Sequence, residues 1–443
     1  MSRRKLIHIV SLGCPKTRGD SEMIAHVALA EGWRLTADPG EAGIVVVNTC
    51  AFVEEARRES IDAILGLAGA GKGPGRRLLG VAGCLAERYA ADLAASLPEA
   101  DRVVGLGRLE EIRAVLRGEP SPPGSGPRVM FPGGRYGREA GASPHSRYLK
   151  IGDGCSRRCA FCAIPSIRGP ALSRGAGPIL AEARDLAARG AREICVVSQD
   201  STAWGRDLPG RPGLPGLARR LSRVRQIEWI RLLYLYPSRT VLDLVPLLAG
   251  GPPVLPYVDL PMQHVTDRML GIMRRGHGRA HLDRIVGRLR DAIPGLTLRT
   301  TFVIGHPGET ERDFEALLGF IEAHRPDRIG LIAYSPEEGT PAERMGGRVP
   351  PGEVGRRLGR AGRLARSVLA AKGRALVGTV ASVMIDGPSQ EGPYLHDARL
   401  GSQAPEVDGK VVVAKSPRAL RAGEIVRVRI ARAMGADLLA DLE

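Results

Sequence analysis

Three cysteines stand close together in residues 153–162 and form a C-x3-C-x2-C motif of Cys155, Cys159 and Cys162. The motif follows an apolar segment, so its thiols are expected beyond the carboxyl end of a strand, where α/β proteins place their sites. A closed structural zinc site needs four ligands, and three thiolates are one too few. Three thiolates suit a 4Fe–4S cluster with one open iron, to which S-adenosylmethionine can chelate. One electron from such a cluster cleaves the sulfonium and releases a carbon radical.

Two other interpretations of this motif stay open. One is a zinc ion with a fourth ligand such as His145, and the other is a set of reduced cysteines without metal. Phe161, directly before the last cysteine, is a candidate cofactor-binding residue that would shield the cluster or contact the adenine. It is equally interpretable as a core residue.

Three further cysteines, Cys14, Cys50 and Cys84, are scattered in sequence but share one context, because each comes just after a predicted strand. The carboxyl ends of parallel strands lie along one edge of a sheet, so these residues can converge into a second three-cysteine site. Gly13 and Gly83 would let the backbone approach a cluster closely. The alternative is burial of all three in the core, which is common for cysteine.

Polar residues at two other predicted strand ends are candidates for completing the site. Residues 198–200 follow an apolar strand whose Cys195 we expect to be plain core, and residues 305–309 form a turn that could offer backbone groups to a nucleoside. Asp200 and Thr310 are equally interpretable as helix N-caps.

Alternating apolar strands and amphipathic helices must position these residues. The first part of the chain predicts a small parallel α/β unit. Its strands are expected at residues 6–12, 44–47, 78–82 and 103–104, and its helices at 22–31, 54–67 and 85–97. A Pro- and Gly-rich stretch then predicts a linker.

Six further βα rounds follow, and periodicity alone does not choose between a partial barrel and an open sheet. The strands are expected at residues 148–151, 194–197, 229–235, 257–260, 298–304 and 329–333, with helices that include 179–189 and 312–324. A basic helix over residues 353–374 carries Arg356, Arg360 and Arg363 on one face, which favours a solvated surface. Short β runs at residues 377–385, 411–414 and 425–430 predict a small β-barrel, of a kind that binds oligonucleotides in some proteins and only protein in others.

Composition limits the class of protein. The chain has 443 residues, of which 43% are hydrophobic and 25% charged, and no apolar run approaches the roughly 18 residues of a membrane span. The net charge of +16 points to a polyanionic partner, although a GC-rich coding background also explains a surplus of arginine. Seven cysteines are too few for a disulfide scaffold and favour metal binding or catalysis. The N-terminal apolar run is too short for a signal sequence, so we expect a cytoplasmic protein with no membrane partner.

Over nearly its whole length the sequence resembles the methylthiotransferases, a branch of the radical S-adenosylmethionine enzymes. Besides both cysteine triads, the resemblance rests on residues 10–16, 48–50 and 148–151. Three more stretches are similar to the branch that modifies a ribosomal protein rather than to the transfer-RNA branch, namely residues 162–170, 299–303 and 334–341.

The resemblance implies an α/β protein of three domains. These are a methylthiotransferase N-terminal domain over residues 5–117, a radical SAM core with a partial (βα)6 barrel over 141–373, and a TRAM β-barrel over 374–443. The linker would then cover residues 118–140.

The resemblance also implies the cofactors and the reaction. Cys155, Cys159 and Cys162 would hold the 4Fe–4S cluster that binds S-adenosyl-L-methionine, and Cys14, Cys50 and Cys84 an auxiliary 4Fe–4S cluster. The implied substrate is an aspartate of ribosomal protein S-12, whose β carbon gains a methylthio group. One S-adenosylmethionine would donate methyl and another would yield the 5′-deoxyadenosyl radical. A radical is required because that C–H bond is unactivated.

The resemblance also implies binding partners, and the sequence differs from the family pattern at three positions. The family implies an electron donor such as flavodoxin or ferredoxin, and the basic barrel leaves contact with ribosomal RNA open. The chain has His306 where the family usually has Phe, Thr17 in place of Asn and Ala51 in place of Gly. Two competing hypotheses are the same chemistry on a transfer-RNA adenosine and a non-catalytic RNA-binding metalloprotein.

Overall fold

The computed structural model describes residues 5–68, 77–119, 128–129, 143–392, 394–414, 416 and 418–443. Most of the predicted linker at residues 118–140 lies outside the described residues. By its internal contacts the chain divides into two units. The first comprises residues 1–142, 152–157 and 162–174, and the second comprises residues 143–151, 158–161 and 175–443.

The described chain contains eighteen strands and fourteen α-helices. The strands are β1 (Leu6–Ser11), β2 (Arg34–Leu35), β3 (Ile44–Thr49), β4 (Leu78–Gly83), β5 (Arg102–Val104), β6 (Ser146–Lys150), β7 (Gly152–Asp153), β8 (Leu172–Ser173), β9 (Glu193–Val197), β10 (Trp229–Leu232), β11 (Val254–Asp259), β12 (Thr297–Ile304), β13 (Arg328–Ala333), β14 (Val380–Pro388), β15 (His396–Leu400), β16 (Val411–Ala414), β17 (Ile425–Met434) and β18 (Asp437–Leu442). The helices are α1 (Pro15–Ala30), α2 (Glu54–Ala68), α3 (Cys84–Arg88), α4 (Ala90–Ser96), α5 (Leu109–Arg117), α6 (Ile164–Arg168), α7 (Ala176–Ala188), α8 (Gly213–Leu221), α9 (Arg239–Asp243), α10 (Val245–Leu248), α11 (Asp267–Ile272), α12 (Arg279–Ala292), α13 (Glu311–His324) and α14 (Pro351–Leu376).

The first unit is built on a parallel sheet with strand order β2-β1-β3-β4-β5. Every residue of β3 is buried, as expected for a central parallel strand with both faces covered. Helix α1 begins at Pro15, whose fixed φ suits the first helical turn, so the helix starts well before the predicted residue 22. The predicted helix over residues 85–97 is wrong in its continuity, because Tyr89 leaves helical geometry between α3 and α4.

The second unit contains a six-stranded parallel sheet with strand order β13-β12-β11-β10-β9-β6. The strands follow each other consecutively, as in a partial barrel, whereas a doubly wound open sheet reverses its order at a switch point. The core is mostly aliphatic, and Phe302, Phe314 and Phe320 are its largest fully buried apolar side chains apart from Tyr257. The predicted strand over residues 229–235 ends earlier, at Leu232.

The C-terminal part of this unit is a closed five-stranded barrel with strand order β14-β15-β16-β18-β17. Strand β17 alternates buried Val426, Val428 and Ile430 with exposed Arg427 and Arg429, which confirms the alternation predicted from the sequence. The prediction missed β15 and β18 and began the first barrel strand too early, since β14 starts at residue 380.

Helix α14 runs for 26 residues and presents the predicted arginines to solvent. The exposed Arg360 pairs with Glu311 and Glu315 of α13, at 2.8 and 2.6 Å. Arg357 is buried and bonds the Glu353 and Glu309 carboxylates. Carboxylates of the same unit therefore neutralise much of this basic helix.

Within the second unit, buried ion pairs join the six-stranded sheet to the barrel. Glu193 of β9 accepts hydrogen bonds from Arg231 at 3.1 Å and from Arg399 of β15 at 2.7 Å. Arg399 also donates to Asp386, and Asp386 Oδ1 lies 2.8 Å from the Nε2 atom of His145.

Within the described residues, no helix combines the length and apolar character that a membrane crossing requires.

Candidate functional site

Cys50 and Cys84 lie directly after β3 and β4, and Cys14 lies three residues after the end of β1; these are three neighbouring strands of the first unit. Cys14 is the N-cap residue of α1, and Cys84 is the first residue of α3. Their positions follow from the parallel sheet, because strands of one direction end along one edge. The structure therefore brings these three predicted site residues together.

Two glycines make room at this edge. Gly13 has φ +93°, and a Cβ atom placed on it would lie 2.6 Å from Cys50 Cβ and 2.9 Å from Cys50 Sγ. Gly83 has φ +97°, and a Cβ there would lie 2.4 Å from Asn48 Oδ1 and 2.7 Å from the Thr49 carbonyl oxygen. Only glycine fits both the backbone angle and the available space at these positions.

The three thiols influence one another's ionisation. Burial, together with the charges of Cys14 and Cys84, raises the pKa of Cys50 to about 12. Burial also raises the pKa of Cys84. Burial opposes ionisation of Cys14 as well, but the Lys16 and Arg168 cations outweigh it and lower the pKa of Cys14. A cationic metal centre would relieve this mutual penalty, because bound thiolates share its charge.

Arg168, at the end of α6, donates to one of these thiols. Its Nη2 atom lies 3.2 Å from Cys84 Sγ and 2.7 Å from Asp20 Oδ2, and its Nη1 atom lies 3.0 and 3.1 Å from the two carboxylate oxygens of Asp153. Sequence reasoning missed Arg168 as a site residue. The only signal was its place in residues 162–170, the stretch that carries part of the family resemblance.

Three thiols along one sheet edge form a donor set that a 4Fe–4S cluster could use. Among the described residues, no three cysteine, histidine or acidic side chains converge on a point that one metal ion could occupy. In a 4Fe–4S cubane each cysteine binds a different iron, so the thiols surround the cluster instead of meeting at one point. A zinc ion with His145 as fourth ligand is not favoured either, because His145 is buried and its Nε2 atom bonds Asp386.

The C-x3-C-x2-C motif is divided between the two units, Cys155 and Cys162 belonging to the first and Cys159 to the second. In the first unit the Cys155 amide donates to the Gly169 carbonyl oxygen at 3.0 Å. Gly154 has φ +69°, and a Cβ there would lie 2.1 Å from the Pro170 carbonyl oxygen. Cys162 is half-buried.

In the second unit, Cys159 is buried and also receives a hydrogen bond from an arginine. Arg275 Nη1 lies 3.2 Å from Cys159 Sγ, and Nη2 donates to the Pro261 carbonyl oxygen at 2.7 Å. The guanidinium carbon lies 4.5 Å from the centre of the Tyr236 ring. Sequence reasoning missed Arg275, because it lies 116 residues from its cysteine and in no motif.

Phe161 is half-buried and packs with Met269, Met273 and Val303 of the second unit. Its ring meets the His306 ring edge-on, with 6.2 Å between the ring centroids. These contacts agree with the core interpretation, and contact of Phe161 with adenine stays a prediction.

The other strand-end residues have structural partners. The Asp200 side chain accepts from the Thr202 amide at 3.0 Å, and Thr310 forms a capping box with Asp313 at the start of α13. The N-cap interpretation is confirmed for both. The Gly305 amide donates to the Glu309 carboxylate, so this donor of the predicted nucleoside turn already has an acceptor.

Comparison with known proteins agrees with the three regions of the chain. The model of uncharacterized protein family UPF0004 matches residues 6–105, the radical SAM superfamily model matches residues 149–321, and the TRAM domain model matches residues 377–442.

The relatives are similar over the full chain. This chain is 45% identical to the ribosomal protein uS12 methylthiotransferase RimO of Desulforudis audaxviator (strain MP104C), with 98% of this chain and 96% of that protein covered. The chain belongs to the RimO family of methylthiotransferases. A second RimO protein, from Sorangium cellulosum (strain So ce56), is 42% identical to this chain. The alignment covers 100% of this chain and 91% of that protein. Membership in the RimO family confirms that the protein is a transferase and a radical SAM enzyme.

A solved structure shares the fold. The radical S-adenosylmethionine methyltransferase TsrM from Kitasatospora setae, solved with cobalamin and a [4Fe-4S] cluster bound, has a TM-score of 0.55 and 15% identity over 89% of this chain and 82% of that chain. At this identity the likeness concerns the fold alone.

Proposed function

We propose that this RimO-family protein transfers a methylthio group to ribosomal protein uS12, at the β carbon of an aspartate. The observation that carries the proposal is the convergence of Cys14, Cys50 and Cys84 after neighbouring strands. It supplies a three-thiol site in addition to the C-x3-C-x2-C motif, and methylthiolation needs a place for sulfur as well as a source of radicals. The two RimO relatives, which are 45% and 42% identical to this chain and are named as uS12 methylthiotransferases, support uS12 as the substrate.

We assign Cys155, Cys159 and Cys162 to the 4Fe–4S cluster that binds S-adenosylmethionine, and Cys14, Cys50 and Cys84 to an auxiliary 4Fe–4S cluster. When bound, the first cluster supplies the electron that cleaves S-adenosylmethionine to the radical that takes the β hydrogen. A flavodoxin or ferredoxin is the proposed electron donor.

The chain's own side chains prepare the thiols for metal. Arg275 donates to Cys159, and Arg168 donates to Cys84, each at 3.2 Å. The Lys16 and Arg168 charges lower the pKa of Cys14, which favours the thiolate that iron requires. Burial around Cys50 and Cys84 limits access of water to the site.

The barrel is the proposed contact for the ribosomal partner. Arg427 and Arg429 are exposed on β17, and contact with ribosomal RNA near uS12 would use such cations. In a binding assay, replacing both with glutamine should weaken affinity for ribosomal subunits more at low salt than at high salt.

The test is iron and sulfide analysis of anaerobically reconstituted protein, together with 5′-deoxyadenosine production and mass analysis of uS12. We expect about eight iron per wild-type chain, falling to about four in either triple Cys→Ala variant. The Cys155, Cys159 and Cys162 variant should make no 5′-deoxyadenosine, whereas the Cys14, Cys50 and Cys84 variant should make it without modifying uS12. Cys195→Ala is the matched control, because this buried cysteine lies in β9, outside both sets.

Three outcomes would contradict the proposal. Zinc or no metal, without 5′-deoxyadenosine, would overturn the enzyme, and zinc would favour the RNA-binding metalloprotein. Unmodified uS12 with a methylthiolated transfer-RNA adenosine would move the same chemistry to the other substrate. Four iron in the wild type would remove the auxiliary cluster.

A further inference from the structure

The guanidinium of Arg168 is at the centre of a buried polar cluster in the first unit. The Arg168 side chain is 2% exposed, and its carboxylate partners Asp20 and Asp153 are 8% and 2% exposed. Nη1 donates to both Asp153 oxygens, while Nη2 donates to Asp20 and to Cys84 Sγ. A planar fork can serve these acceptors at once, whereas a lysine ammonium acts as a point charge.

The partners of Arg168 come from segments that carry the cysteines. Asp153 lies two residues before Cys155, and Asp20 lies in α1, which begins directly after Cys14. Arg168 itself lies six residues after Cys162. One guanidinium thus ties together, within the first unit, segments that belong to both cysteine sets.

The Arg168 guanidinium shares its charge among several acceptors. One guanidinium faces two carboxylates and also donates to Cys84, so an ionised Cys84 would be the third anion on a single cation. An ionised thiol is costly to bury, so a cationic metal centre beside Cys84 would stabilise its thiolate.

We propose that Arg168 is a positioning residue for the auxiliary cluster, which orients the Cys84 thiolate and sets the cluster's reduction potential against the opposing charges of Asp20 and Asp153. The proposal rests on the proposed function, because it concerns the cluster that Cys14, Cys50 and Cys84 would hold. Hydrogen bonds to cluster sulfurs and nearby net charge are the main means by which a protein changes such a potential.

The proposal gives opposite signs for two substitutions that break the same ion pair. Arg168→Gln removes a positive charge and should lower the potential, because the reduced cluster carries one more negative charge. Asp20→Asn removes a negative charge and should raise it. A merely structural role would make both variants lose cluster or stability in the same direction.

The experiment uses the full-length chain with Cys155, Cys159 and Cys162 replaced by alanine, so that only the auxiliary cluster can assemble. Redox titration followed by electron paramagnetic resonance gives the midpoint potential, and iron analysis gives cluster content. We expect each single substitution to change the ratio of oxidised to reduced cluster at least tenfold at a fixed potential, which is about 59 mV for one electron. Arg168→Lys keeps the positive charge, so its midpoint potential should lie close to that of the parent protein. Its electron paramagnetic resonance spectrum should be broader, because lysine cannot reproduce the planar fork of donors of the guanidinium.

The outcomes separate this inference from the proposed function. Shifts of the same sign, or unchanged potentials with about four iron bound, would overturn the role of Arg168 and leave the function standing. Absence of iron in the parent triple variant, with Arg168 intact, would instead overturn the auxiliary cluster itself. If Arg168→Gln loses its iron, Asp20→Asn and Arg168→Lys still decide the sign, and an Asp20→Asn potential that stays equal or falls contradicts the proposal.

Discussion

The two cysteine sets are assembled in different ways. Cys155, Cys159 and Cys162 lie within eight residues, whereas Cys14, Cys50 and Cys84 follow three separate strands of a parallel sheet. In each set, a thiol accepts a hydrogen bond from a buried arginine at 3.2 Å, Cys84 from Arg168 and Cys159 from Arg275. The arginines differ in their other partners, since Arg168 faces two carboxylates and Arg275 bonds a carbonyl oxygen and lies over a tyrosine ring.

The same kind of donor therefore serves a thiol in two different electrostatic environments. The carboxylates beside Arg168 offset its charge, so Cys84 gains orientation with little net positive potential. Among the described contacts, Arg275 meets no carboxylate at hydrogen-bond distance, so Cys159 receives more of its charge. The second environment would make a cluster bound at Cys159 easier to reduce.

The largest expected effect is on the strand-end set and comes from Gly83→Ala. Alanine at φ +97° would overlap Asn48 and Thr49, so we expect about 2 to 5 kcal/mol of destabilisation and loss of the iron bound by Cys14, Cys50 and Cys84. Urea unfolding and iron analysis measure both. Gly66→Ala in α2 is the matched control, because a Cβ there meets no atom within 4 Å, and it should stabilise by roughly 0.5–1 kcal/mol. Full iron content in Gly83→Ala would show that the set does not depend on this turn.

The next effect concerns the unit that holds Cys159 and depends on pH. Burial opposes ionisation of Glu193, but Arg399 and Arg231 lower its pKa to about 2 from an ordinary 4.5. A lowered pKa gives stability that is fully present above pH 4.5 and is lost as the pH falls towards 2. Glu193→Gln should therefore lower the free energy of unfolding by about 3 kcal/mol at pH 7 and by progressively less below pH 4.5.

Tryptophan fluorescence during urea unfolding checks this prediction, with Trp33→Phe as background because Trp33 is the tryptophan of the first unit. The difference in unfolding free energy between the protein with Glu193 and the Glu193→Gln variant should narrow from pH 5 to pH 2. A difference independent of pH would mean that the carboxylate charge does not hold the sheet and barrel together.

A smaller effect tests the arginine of the local motif. Arg275→Lys keeps the charge but loses the fork that reaches both Cys159 and Pro261, so 5′-deoxyadenosine production should fall about ten- to a hundredfold. Iron held by the strand-end set should not change. Arg274→Lys is the control at the neighbouring exposed position. Equal 5′-deoxyadenosine production by the two variants would show that Arg275 has no role in the site.

The smallest effect is expected at the seventh cysteine. Cys195 is fully buried in β9, and Cys195→Ala should cost about 1 kcal/mol of stability while leaving iron content and 5′-deoxyadenosine production unchanged. Loss of iron in this variant would break the division of the cysteines into two sets and one core residue.

The sequence predicts those elements that a short stretch of residues is enough to define. The buried strand β3 begins as an apolar run in the sequence, and the strand-end cysteines followed from the order of such strands. Strand β15 was missed because its sequence, His-Asp-Ala-Arg-Leu, carries no β-branched residue, and its place in the barrel depends on pairing with β14 and β16.

The arginines could not be found in this way. Arg168 and Cys84 are 84 residues apart, and a single sequence holds no information that pairs them. Among 64 basic residues, the few that are buried and bonded to thiols are distinguished only by the folded chain.

The separation of Cys14, Cys50 and Cys84 along the chain has a consequence for biosynthesis. The sheet of the first unit must form before these thiols share an edge, whereas the short motif of Cys155, Cys159 and Cys162 brings its thiols near one another even in an unfolded chain. Machinery that delivers iron and sulfur would therefore meet two different recipients: a short contiguous motif that can capture metal early, and a folded sheet edge that is ready only afterwards. Maturation of the holoprotein should then proceed in two kinetic phases, with the slower phase limited by folding of the N-terminal sheet.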